Sequence, residues 1–190
     1  PEVFAIVNEA ISRREGAWRF FDSTIKDQQL QTIHELVFSV CSEKYMIIVK
    51  IEFDQVNKFS IHNNWIQTLC QTILNDNGHN EATITIIFSN DSKLCKLKKE
   101  YFGKGVFTDT ISFNLEEKGN PIEGEIYISL DRVTENSKIF NQNFIKECKR
   151  VIIHSCLHLL GYNDELPDEK AKMTELEELY LSHRVKDSQI

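Results

Sequence analysis

No two of the five cysteines form a CxxC pair, and their number is odd. Cys41, Cys70, Cys95, Cys148 and Cys156 sit mostly among apolar residues. That pattern argues against a disulfide framework and for reduced thiols in a cytoplasmic protein. No apolar run approaches ~18 residues, so no membrane span is expected. The N-terminus lacks a basic stretch followed by an apolar one, so no signal peptide is expected. A basic excess is missing too. The formal net charge is −7 and the pI is near 5.4, which argues against wholesale non-specific nucleic-acid binding. That total is compatible with a local basic patch. Internal repeats and low-complexity segments are absent. The 190 residues suit one domain with an appendage and allow a proper core.

Residues 1–45 read as a mixed, helical segment. Leu30, Ile33, Val37 and Val40 recur at helical spacing, and Asp27 suits a helix start. From Met46 the texture changes. Met46 to Phe53 (MIIVKIEF) alternates as a strand. Ser60 precedes a helix with Trp65, Leu69 and Ile73 on one face, closing at Asn77-Gly78. Residues 82–88 (ATITIIF) read as a buried strand, and Asn90 or Asp91 caps a short helix to Tyr101. Residues 108–114 and 124–130 are two further strands, close enough to pair. A helical stretch from about Ser137 leads into a longer helix, Phe144 to Leu160. Pro167-Asp168 opens a last helix with Met173, Leu176 and Tyr180 inward. This order implies an α+β fold: a mixed four-stranded sheet with a layer of helices.

The most informative stretch is His154-Ser155-Cys156-Leu157-His158-Leu159-Leu160-Gly161-Tyr162-Asn163-Asp164. Histidines at i and i+4 share one helix face. Gly161 can take the left-handed conformation that ends a helix, so the chain can double back. Asp164 then returns a carboxylate to the two rings. It lies six positions after His158, the spacing at which metzincin proteases place a third histidine. Uncompensated imidazoles would be costly in so apolar a helix. Two nitrogens and one oxygen with a fourth position free make a catalytic-type zinc site, on a helix and its following turn. Cys156 is rotated about 200° from His154, which suits a core thiol rather than a ligand. HExxH peptidases carry a glutamate after the first histidine as general base. Here that position is Ser155, which cannot take up a proton near neutral pH.

These residues resemble the HGxLHLxGYDH signature of the YbeY-type rRNA-maturation endoribonucleases. Leu97 to Phe113 (LKKEYFGKGVFTDTISF) resembles that family's LNxxYRxxxxPTDVLSF stretch. Gly124 to Ser129 is similar to its GDIxIS strand, and Met173 and Glu177 fit its MxxxE. The resemblance spans about Met46 to Leu181, dividing the chain into an N-terminal helical extension of unknown role, 1–45, and a metal-dependent nuclease domain, 46–190. The departures are specific. Asp164 replaces the family's third histidine, Ser155 its glycine, Phe102 its arginine and Lys98 its asparagine.

The resemblance implies a zinc-dependent, single-strand-specific endoribonuclease. It would act on rRNA precursors and in ribosome quality control, with ribosome or small-subunit proteins as partners and no membrane. One zinc ion would sit on His154, His158 and Asp164. Residues 91–104 carry Lys93, Lys96, Lys98, Lys99 and Lys104 against Asp91 and Glu100. Lys98, Lys99 and Lys104 are the candidates for phosphate contact. Thr108, Asp109 and Ser112 are cleft candidates, or strand-start and turn residues. Two rivals stand beside this reading: another metal-dependent hydrolase, and a ribosome-associated assembly factor with a structural metal.

Overall fold

The computed structural model describes residues 46–59, 63–117 and 119–183. The helix expected within 1–45 and the start expected at Ser60 lie outside the described residues. Among those described, four strands and five helices alternate in an α+β arrangement. Strands β1 (Ile47–Phe53), β2 (Ala82–Ser89), β3 (Thr110–Asn114) and β4 (Ile122–Ser129) are joined by α1 (Asn63–Asp76) and α2 (Asp91–Phe102). Three helices follow: α3 (Leu130–Ile139), α4 (Phe144–Leu159) and α5 (Pro167–His183).

The sheet order is β1-β2-β4-β3. β2 pairs parallel with β1 and with β4, while β3 pairs antiparallel with β4 and forms one edge. β2 is a central strand, which is why ATITIIFS is buried or half-buried throughout. Its Ile84, Ile86 and Phe88 join Ile126 and Ile128 of β4 in the main core. Ile66, Leu69, Cys70, Ile73 and Leu74 of α1 and Val151, Ile152, Cys156 and Leu157 of α4 close over that face. Burying each such side chain is worth about 1.5–3 kcal/mol. Met173 and Tyr180 carry α5 into the same core.

The opposite face is different. Ile87, Tyr127 and Ile111 lie in register across β2, β4 and β3. Leu94 of α2 is buried along with Ile87 and Ile111, outside the main core cluster. α2 therefore covers the far side of the sheet at its β3 end, and the helices do not form a single layer.

One boundary differs plainly from expectation. α3 starts at Leu130, directly off β4, not near Ser137. Ser129 ends the strand and caps the helix, its hydroxyl accepting from the Arg132 N–H. The run Ile128-Ser129-Leu130 reads as strand because the capping serine lies inside it. Asn90 caps α2 by accepting from the Lys93 N–H, resolving the choice between Asn90 and Asp91.

Candidate metal centre

α4 carries both histidines, and its local structure follows from sequence. Asn143 caps its start, accepting from the Lys146 N–H. Its buried side rests on the sheet, where Gly124 of β4 makes room for Leu159. A Cβ at Gly124 would lie 2.6 Å from Leu159 Cδ1. The helix ends at Gly161, whose φ of 88° is the left-handed conformation glycine permits. The Gly161 N–H donates to the His158 carbonyl at 2.9 Å and the Tyr162 N–H to the Leu157 carbonyl at 3.1 Å. This is a Schellman end, and it turns the chain back sharply. The Tyr162 hydroxyl donates to Asn77 Oδ1 at 3.0 Å, tying the turn to the end of α1.

The turn brings Asp164 to the two rings. His154, His158 and Asp164 each offer a ligand atom, all within 4.8 Å of one another. The two Nε2 atoms are 3.0 Å apart. Asp164 Oδ2 stands 3.8 Å from His154 Nε2, and its Oδ1 stands 3.8 Å from His158 Nε2. A tetrahedral zinc with arms near 2.0–2.1 Å spreads its ligand atoms about 3.3 Å apart, and the observed spacings bracket that value.

The protons are placed by the outer partners. Nδ1 of His158 lies 2.9 Å from the Tyr162 carbonyl, which can only accept, so Nδ1 carries the hydrogen. Nδ1 of His154 lies 2.6 Å from Glu177 Oε1, and an ionised carboxylate likewise only accepts. Both Nε2 atoms are then bare lone pairs aimed at each other beside a carboxylate. Three acceptors converge with no donor among them. A cation is the partner this arrangement fits. Burial lowers the pKa of His158, and the neighbouring His154 ring lowers it further, which favours the neutral, ligating imidazole.

Behind His154 stands a charge network that the sequence reading missed. Glu177 also faces the Arg150 guanidinium at 3.4 Å. Arg150 holds fully buried Glu147 through three hydrogen bonds of 2.6–3.1 Å and approaches Asp109 at 3.5 Å. Burial opposes the Arg150 charge, but the hydrogen bonds and charge of Glu147, with Glu177 and Asp109, outweigh it and raise its pKa. The legible clue was the Glu147–Arg150 spacing of three on an otherwise apolar helix face.

The other candidate residues separate. Ser155 is fully buried; its hydroxyl donates to the Val151 carbonyl and lies 2.7 Å from Thr110 Oγ1. Ser112 donates to the Ser155 carbonyl at 3.2 Å. Both contacts pin α4 to β3. Thr108 donates to the Thr110 carbonyl within its own turn. Asp109 sits against Arg150 and Asn136. Cys156 is buried against Cys70, sulfur to sulfur 3.7 Å, and away from the histidines. Lys98, Lys99 and Lys104 gather at the end of α2. Gly103, at φ 67°, closes that helix with a left-handed end, in which its own N–H donates to the Lys99 carbonyl at 3.1 Å and the Lys104 N–H to the Lys98 carbonyl at 3.3 Å.

Two histidines and a carboxylate converge at a helix end of this α+β domain, a group able to hold a metal ion. Residues 46–184 match the family described as endoribonuclease YbeY, and the chain belongs to that family. A relative of that name from Chlorobium luteolum is 40% identical over 111 residues, covering 58% of this chain and 80% of the relative. The Chlorobium chlorochromatii relative is 36% identical over 133 residues, covering 70% and 85%. That from Amoebophilus asiaticus is 35% identical over 137 residues, covering 72% and 90%. A Thermotoga maritima protein of known solution structure aligns at a TM-score of 0.49 and 25% identity, over 70% of this chain and 87% of that one. Membership makes the chain an RNA-cleaving hydrolase. Among the described residues no helix is long and apolar enough to cross a membrane.

Proposed function

We propose that this chain is a zinc-dependent, single-strand-specific endoribonuclease acting on rRNA precursors, with His154, His158 and Asp164 holding one zinc ion. The observation that carries the reading is the pair of Nε2 atoms 3.0 Å apart, each ring's Nδ1 already committed to an acceptor. A bound zinc ion supplies Lewis acidity there, polarising a phosphoryl oxygen and making water more acidic. The protein's own residues set up that chemistry. Glu177 and the Tyr162 carbonyl fix both imidazole tautomers, and Arg150 holds Glu177 in place. Lys98, Lys99 and Lys104 neutralise phosphate charge along the incoming strand. Residues 46–190 form the nuclease domain, and 1–45 stand outside it. The reading also places the protein in the cytoplasm, with the ribosome or small-subunit proteins as partners in rRNA maturation and ribosome quality control.

The second reading, an assembly factor with a structural metal, is favoured by one feature: Phe102 occupies the place of the family's arginine. Cleavage of a single-stranded rRNA fragment by zinc-loaded full-length chain separates the two. The nuclease reading expects cleavage by the wild type, and its loss in His154→Ala and Asp164→Ala while circular dichroism stays native. A zinc-loaded wild type that leaves the RNA intact, with variants that lose fold stability, supports the assembly factor.

A further inference from the structure

The aromatic side chains at the end of α2 are not absorbed by the metal site. Tyr101 and Phe102 are 62% and 52% exposed. Their rings meet Phe113 of β3 at centroid distances of 4.9 and 6.0 Å, and the Phe102 and Phe113 planes are 17° from parallel. Phe113 in turn meets Tyr127 edge-on at 6.1 Å. Four rings from α2, β3 and β4 thus form one cluster that opens to solvent. Single exposed apolar residues need no explanation, but a contiguous cluster of this kind marks an interaction site.

The surroundings of the cluster choose the occupant. The left-handed turn at Gly103 brings the Lys104 N–H back to the Lys98 carbonyl, and the aliphatic stem of Lys99 lies against Gly105. Three lysines therefore share the stretch that carries Tyr101 and Phe102, against the single carboxylate of Glu100 in residues 98–104. Lys98, Lys99 and Lys104 have no ion-pair partner among the described residues, whereas Lys93, earlier on α2, is paired with Asp54 at 3.1 Å. Flat rings beside unpaired lysines are the combination that holds single-stranded nucleic acid: bases stack on the rings and phosphates meet the cations. A protein partner with an acidic, apolar segment would use the cations but has no need of near-parallel rings.

The cluster stands across the β3 edge from the helix that bears the histidines. Ser112 faces α4 and bonds the Ser155 carbonyl, one residue after His154. Phe113, the next residue, faces the opposite way into the aromatic cluster. β3 is the sheet edge, so no described strand stands outside it.

We propose that Phe102, with Tyr101 and Phe113, is a base-stacking platform for single-stranded RNA. This rests on the endoribonuclease reading for its substrate class. The test is fluorescence-anisotropy binding of the zinc-loaded full-length chain to a non-cleavable 2′-O-methyl oligouridylate and to an abasic backbone of equal length. The wild type should prefer the base-bearing strand. Phe102→Ala should weaken that strand's binding about 5- to 150-fold and leave the abasic strand unchanged, while Phe102→Trp should retain binding. Lys98→Ala should instead weaken both strands and flatten the salt dependence. Equal binding of the two strands by the wild type overturns the platform. So does a Phe102→Ala variant that loses neither or both. Cleavage is scored separately. A wild type that stacks bases yet never cuts overturns the nuclease reading alone. A wild type that cuts, with Phe102→Ala binding unchanged, overturns the platform alone.

Discussion

Glu177 on α5 stands 2.6 Å from Nδ1 of His154 on α4, so a residue 23 positions downstream decides which imidazole nitrogen is left bare. Glu177→Gln keeps the shape but removes the negative charge, and its amide can turn a donor toward Nδ1. Zinc affinity should fall about 10- to 100-fold, as for outer-shell carboxylates elsewhere. Competition with a chromophoric chelator measures it. An unchanged affinity would show that His154 is held by something else.

Zinc should stabilise the fold as well as serve the reaction. A ligand that binds only the folded chain adds about 2.7 kcal/mol at a free concentration of 100 times its Kd. The melting temperature of the wild type should therefore climb with added zinc. His154→Ala and His158→Ala should melt at zinc-independent temperatures. A zinc-induced rise that survives in both would place the ion at other residues.

Arg150 neutralises Glu147, a carboxylate with no exposed surface. Arg150→Ala strands that charge and should destabilise the protein by about 3–5 kcal/mol. The double variant Arg150→Met with Glu147→Leu should recover much of the loss, because the fully buried Glu147 charge goes with its partner. Urea unfolding of the single and double variants checks both values.

Burial pushes the Tyr127 phenol up to about 12, and its hydrogen bond to Glu125 adds to the rise. The folded state then holds the proton more tightly than the unfolded chain, whose tyrosine ionises near 10. The contribution is complete below about 10 and is lost as pH climbs through about 12. Tyr127→Phe should remove this alkaline loss. The wild type and the variant should therefore diverge in stability below pH 10 and converge toward pH 12. Parallel curves would mean that Tyr127 ionises as freely folded as unfolded.

Much of this was readable from residues alone, and the reasons for the rest are physical. ATITIIF announced a buried central strand. The two histidines, Gly161 and Asp164 announced a reversal of the chain, because helix period and the left-handed freedom of glycine are local properties. Ser129 was hidden because a capping serine inside an apolar run looks like strand. Glu177 and Tyr127 drew no role because their partners, His154 and Phe113, come from other elements. Such pairings depend on tertiary register, which no local pattern contains. The main-chain carbonyl of Tyr162 that orients His158 carries no side-chain signal at all.

The alternation of β3 has a consequence for its tolerance of change. Ser112 looks to the helix that bears the histidines and Phe113 to the open rings, so the pleat of one short strand sorts two tasks onto two sides. A strand repeats every two residues, and inserting or deleting one residue ahead of Ser112 exchanges the sides. A phenylalanine would then be driven into α4 and a serine left among the rings. β3 should accept many substitutions that respect its parity, and no change of length.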